Sequence, residues 1–156
     1  MNERIIAEHI TPGLKLLPDY MDTMSARAML AAIGLQESRF EHRKQIGGPA
    51  RGWWQFERAG IYGVLTHSAT KDIIADVCAR LAIPPVDTIC HELVAYHDAL
   101  AACFARLLLW SLPYRLPGED EADEAWRQYI EAWRPGKPHR ATWNKFYDDA
   151  WQLARI

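Results

Sequence analysis

Apolar residues in this chain recur at spacings of three and four, and no stretch of any length alternates apolar with polar residues. The first pattern lines one face of a helix, whereas the second would line one face of a strand. The chain is therefore expected to be all-α, with at most a small β-hairpin near 45–58, where glycines interrupt the helical spacing. Its 156 residues suffice for one core, and no internal repeat divides them, so 1–156 reads as a single domain.

Residues 3–10 read as a short helix, and Thr11-Pro12 as the N-cap and first position of a second short segment ending about Leu17. Ser25 is the expected N-cap of the next helix. After it, Thr70 or Ser68 opens a helix carrying Ile73, Ile74, Val77, Cys78 and Leu81, which Pro84-Pro85 ends. Ile89, Leu93, Tyr96, Leu100, Cys103 and Leu107 then keep helical spacing, predicting one long buried helix from near Asp87. The acidic run Glu119–Glu124 precedes a helix with Trp126, Tyr129, Ile130 and Trp133, where negative charge favours the helix N-terminus. Arg134-Pro135-Gly136 stops it, and Thr142 opens the last helix, with Trp143, Phe146, Tyr147, Ala150 and Trp151 on one face.

The helix that begins at Ser25 holds the residue of most chemical interest. Leu30 and Ile33 precede Glu37 by seven and four positions, and Phe40 follows it by three, so a carboxyl group is expected within an apolar stripe. Burial disfavours the charged form of a carboxyl and raises its pKa. An acid kept protonated near neutrality can donate a proton in catalysis, although a buried ion pair with a nearby arginine would explain the same pattern. A loop with Gly47, Gly48 and Gly52 follows, carrying Trp53, Trp54, Gln55, Phe56 and Glu57. Gly52 suits a backbone left bare for a ligand. One of Trp53 and Trp54 is expected to pack inward and the other to line a cleft.

The formal charge of −2 gives no basic footprint for nucleic acid. Three cysteines, Cys78, Cys90 and Cys103, lie in apolar helical segments without metal-ligand spacing and read as buried thiols. His91-Glu92 with His97 is not a zinc motif, because a separation of six turns the two histidines about 120° apart on a helix. No metal is expected. The N-terminal residues lack a signal peptide's apolar core, and the run Ala99–Leu112 is broken by Arg106 and too short to span a bilayer.

Glu37-Ser38-x-Phe40, then Gly47, then Ala50-x-Gly52-x-x-Gln55, resembles the signature of the lysozyme-like lytic transglycosylases and goose-type lysozymes. Trp53-Trp54 stands where that family has Leu-Met. The family's second motif, Ala-Tyr-Asn-Ala-Gly, has as its nearest match Ala132-Trp133-Arg134-Pro135-Gly136, with Trp133 in the tyrosine's place and Tyr129 one turn earlier as a source of the hydroxyl. The resemblance covers residues 25–60 and, more loosely, 125–140.

That resemblance implies a lysozyme-like α-helical domain that cleaves the MurNAc-GlcNAc β-1,4 bond of peptidoglycan without a cofactor. Glu37 would be the single acid/base of a lytic transglycosylase. Glu57 would be the second carboxylate if the reaction were the hydrolysis of a muramidase, and a solvated loop-end residue otherwise; Glu41 is a lesser candidate. Ser38, Gln55, Trp53, Trp54, Tyr129 and Trp133 would contact substrate, and basic residues such as Arg39, Arg43, Lys44 and Arg51 could meet its carboxylates. The expected partner is the glycan strand, with no nucleic acid, no membrane insertion and a monomeric chain. Synthesis in the cytoplasm without a signal, with action at the cell wall, implies a bacteriophage endolysin or virion component. The rival reading is a non-catalytic glycan-binding or virion structural protein on the same scaffold.

Overall fold

The computed structural model describes residues 2–156, and it is all-α: no strand occurs among them. A π-helical turn, Ile6–Ile10, runs into α1 (Thr11–Leu14), and a 3-10 turn, Asp19–Met21, leads to α2 (Met24–Ser38). There follow α3 (Arg58–Thr66), α4 (Lys71–Arg80), α5 (Asp87–Leu93), α6 (Asp98–Trp110), α7 (Ala122–Trp133) and α8 (Arg140–Ala154). Their buried faces join into one hydrophobic core that reaches from Ile5 to Ala154.

Two helices are buried on nearly every side, which is how a helix with apolar residues all round must sit. In α2 this covers Ala28 to Leu35 without interruption, and in α6 it covers Leu100 to Leu107. α2 lies along α8, which offers it Trp143, Tyr147, Ala150 and Trp151. α6 crosses α1 at Gly13, where an added Cβ would stand 2.5 Å from the Ala99 carbonyl oxygen and 2.6 Å from the Ala102 Cβ.

The N-cap of α2 is Thr23, not Ser25: its hydroxyl accepts from the Ala26 N–H at 3.0 Å from an extended backbone. Ser25 lies two residues further on, within the first turn. At the other end Arg39 and Phe40 both take left-handed backbones, each with φ of 54°. The chain turns back there, so Phe40 leaves Glu37's face and lays its ring on Gly34; a Cβ at 34 would stand 2.2 Å from the ring. That packing accounts for a glycine inside the helix.

The long helix expected from Asp87 is two. α5 and α6 meet at a bend of 119°. His97 caps α6 by accepting from the Leu100 N–H at 3.1 Å. Asp98 is anchored from outside the helix by Arg43 and His9, both at 2.7 Å, and Arg43 also donates to the Ala95 carbonyl oxygen. Those anchors pull its carboxyl below the usual range despite burial. The apolar spacing runs across the break, but the stripe is not buried in α5: Cys90 packs into the core there, whereas Ile89 and Leu93, and Tyr96 after them, are exposed, and continuous burial begins at Leu100 in α6.

The region 44–56 holds only isolated antiparallel bridges, Lys44 with Arg51 and Arg51 with Phe56, rather than a hairpin. α8 starts at Arg140, two residues before Thr142. All three cysteines are buried and free, and burial pushes the Cys103 thiol up to about 12. No single described helix is long and apolar enough to cross a membrane.

Candidate active site

The end of α2, the loop 45–57, one side of α3, the face of α7 and the turn after it enclose a groove of about 690 Å³. Glu37 enters it from the last turn of α2, Gln55 and Glu57 from the loop, and Tyr129 and Trp133 from α7. Ala59, Gly60 and Gly63 keep the α3 side low.

Glu37 is half-buried, and loss of water raises its pKa to about 7. The Tyr129 hydroxyl approaches the carboxyl and opposes this by hydrogen bonding, while the negative charge of Glu57 adds to the rise. Burial in turn drives the Tyr129 phenol far above its ordinary range, so it stays a neutral donor. Tyr129 is only 2% exposed and stacks on Trp143, with ring centroids 5.2 Å apart, which fixes where its hydroxyl points.

The residues next to Glu37 build the framework. Ser38 is buried; its hydroxyl donates to the Trp53 carbonyl oxygen at 2.6 Å and accepts from the Phe40 N–H at 3.1 Å. It ties the loop to the helix and does not reach the groove. Trp54 is fully buried, and its indole N–H donates to the Leu30 carbonyl oxygen at 2.8 Å. Its own carbonyl oxygen accepts from the Trp133 indole at 2.9 Å. Trp53 is also buried, under the Arg43 guanidinium at 4.2 Å and against His9. The expected division between the two tryptophans therefore does not occur: neither lines the groove, because the space beneath the loop takes both rings.

Gln55 does line it. Its backbone is left-handed, with φ of 49°, and its side-chain amide donates to the Gly52 carbonyl oxygen at 2.9 Å. Glu57 is exposed at the start of α3 and forms no ion pair among the described residues. Trp133 presents part of its ring beside Phe56, centroids 5.8 Å apart. Glu41 lies beyond the helix and outside the groove. Gly52 is bare for another reason than a ligand: a Cβ there would stand 2.4 Å from the Val94 carbonyl oxygen.

The basic residues singled out in the loop are engaged elsewhere. Arg43 holds Asp98, and Arg51 donates to the Gly48 and Ala50 carbonyl oxygens. The cations that do line the groove are Arg134 and Lys137, which form no ion pair among the described residues. In the sequence they stand in a Pro/Gly-rich run that signals only a helix stop. Gln36 was also missed; it binds the His139 carbonyl oxygen and the Thr142 hydroxyl, both at 2.9 Å, and so holds that turn against α2. Its position beside Glu37 was the available clue. Among the described residues no group of three or more His, Cys, Asp or Glu side chains could hold a metal ion.

The arrangement offers one carboxyl poised between protonation states, a neutral phenol against it, the unpaired Glu57, and Arg134 and Lys137 around one open groove; Glu131, which also lines it, is engaged by Arg127 and Tyr114. No family model, no curated protein and no solved structure matches the chain.

Proposed function

We propose that this chain is a peptidoglycan lytic transglycosylase of the lysozyme-like kind, with Glu37 as its acid and base. The observation that carries the reading is a carboxyl whose pKa is raised to about 7 by burial at the centre of an open groove. In the reaction, Glu37 gives its proton to the glycosidic oxygen as the bond from that oxygen to C1 of N-acetylmuramic acid breaks. The oxocarbenium-like centre is then attacked by the 6-hydroxyl of the same sugar, whose proton returns to Glu37. The product is a 1,6-anhydro sugar, and no second carboxylate is required. In this reading Arg134 and Lys137, which line the groove, would meet the negative charges of lactyl and peptide groups.

A second reading is hydrolysis, with Glu57 activating water. Glu57 supports it by lining the same groove unpaired, close enough for its charge to act on Glu37. Mass spectrometry of soluble products from purified peptidoglycan separates the two. Anhydro-muropeptides are expected from the first; products one water heavier, with a reducing end, would replace it by the second. Absence of products from several wall types would favour a glycan-binding or virion structural role instead.

The acid must carry its proton, so kcat/KM for wall clearance is expected to fall as pH rises through about 7. Tyr129 holds that pKa down. Tyr129→Phe should therefore move the alkaline limb to higher pH while activity at low pH falls less. An unmoved limb would separate the phenol from Glu37.

A further inference from the structure

Arg106 is the charged residue furthest from any explanation by the groove. It sits on α6 within the core and is 4% exposed. Its Nε donates to the Met21 carbonyl oxygen at 2.9 Å, and its guanidinium lies 5.4 Å from the Trp110 ring centroid. Among the described residues no carboxylate pairs with it. Burial alone moves its pKa, downward to about 10, where a nearby carboxylate would have worked the other way. A cation taken out of water without a counter-charge is destabilising, so an anion that restored the balance would be favoured.

The arginine lines a second cavity, of about 290 Å³, together with Leu109, Trp110, Leu112, Pro113 and Leu116. Its terminal Nη groups donate to no described residue. The sealed and unpartnered side-chain nitrogens among the described residues are the indoles of Trp53 and Trp151, so the Nη groups keep access to open space. Arg115 stands at the rim, but Glu121 holds it through two bonds of 2.8 and 2.7 Å and neutralises it. Tyr114 lines the cavity too, with its hydroxyl donating to Glu131 at 3.2 Å, so Arg106 is left as the cation of this mainly apolar lining that has no carboxylate partner among the described residues.

We propose that this cavity binds a small organic monoanion, a carboxylate on a compact apolar body, with its oxygens accepting from the Arg106 guanidinium. The charge balance selects the class. A planar carboxylate matches the guanidinium fork and cancels its single charge, whereas a phosphate dianion would leave a net charge among leucines. The volume of about 290 Å³ admits a short acid or the end of a peptide. Leu112 is shared between this cavity and the groove, so the carboxylate could belong to a free acid or to the C-terminus of a peptide reaching over from it.

The intact chain would be titrated with isovalerate, with the neutral isovaleramide and with N-acetyl-alanyl-alanine, following tryptophan fluorescence and the thermal midpoint. Saturable binding of isovalerate, the dipeptide or both is expected, and none of the amide. Arg106→Met and Leu116→Trp, the second of which keeps the charge and fills the space, should each weaken binding by more than about tenfold, the loss of a charge-assisted hydrogen bond. Binding of both acids assigns a free acid as ligand; binding of the dipeptide alone assigns a peptide terminus. No saturable binding of either acid, equal binding of the amide, or binding retained in Leu116→Trp would overturn the proposal. None of these outcomes bears on the role of Glu37.

Discussion

Glu37→Gln is expected to lower turnover of peptidoglycan by about 10²- to 10⁴-fold, the usual contribution of a positioned general acid, while glycan binding persists. The same change should stabilise the protein at pH 8. The carboxyl has an ordinary pKa of 4.5 and a folded one of about 7, so the folded state binds the proton more tightly. Below pH 4.5 both states are protonated and the amide changes little. Above pH 7 the wild type must keep a buried charge, at a cost of up to about 3 kcal/mol that glutamine avoids. Thermal unfolding of both proteins at pH 4 and pH 8 checks the sign, and a pelleting assay with purified wall checks binding. Unchanged turnover would remove Glu37 from the chemistry. A protein that binds glycan equally in both forms, and cleaves it in neither, would be a binding module.

Gly52→Ala should destabilise the fold by about 3 kcal/mol or more, measured by urea or thermal unfolding, and take activity with it. Two causes add. The residue has φ of +80°, a backbone that costs an L side chain about 1 kcal/mol or more. The new Cβ would also stand 2.4 Å from the Val94 carbonyl oxygen, which is backbone at the bend between α5 and α6 and cannot turn aside. Gly52 opens the tight turn that carries Trp53 to Phe56, so displacement of the turn moves Gln55 and Glu57 in the groove. A variant as stable as wild type would mean that the loop does not depend on this contact.

The helices were legible because burial on one side of a helix imposes a period that survives in the sequence, as in Trp143, Tyr147, Ala150 and Trp151. What interrupts or joins helices was not. The bend before Asp98 depends on Arg43 and His9, which are distant in sequence, and no local residue marks it as strongly as a proline would. The carboxyl of Glu37 could be placed near apolar residues by counting turns, but Phe40 could not, since two successive left-handed residues carry it off the helix. Tyr129 could be assigned to a face of α7, yet its approach to Glu37 is a matter of how α7 docks on α2. The tryptophan pair reads as one ring inward and one in a cleft; both are buried because a carbonyl of α2 and an indole of α7 hold Trp54, and Arg43 and His9 cover Trp53, partners that only the folded chain brings together. Arg134 and Lys137 read as a helix stop because a loop's sequence reports its turns and not the wall it forms.

The hydrogen bonds from the Trp54 indole to Leu30 and from the Trp133 indole to Trp54 have an evolutionary consequence. They join α2, the loop and α7 through one residue, so the acid-bearing and phenol-bearing parts cannot drift independently. Changes in the connection at 112–120 would leave those links alone, but they would have to keep the Arg115 and Gly118 carbonyl oxygens in reach of Gln128 and Tyr147. A lineage could not exchange α7 for a helix from another source unless an indole donor came with it at position 133. Position 54 thus acts as a keystone: divergence should accumulate on either side of it while it and its two partners are inherited as a set.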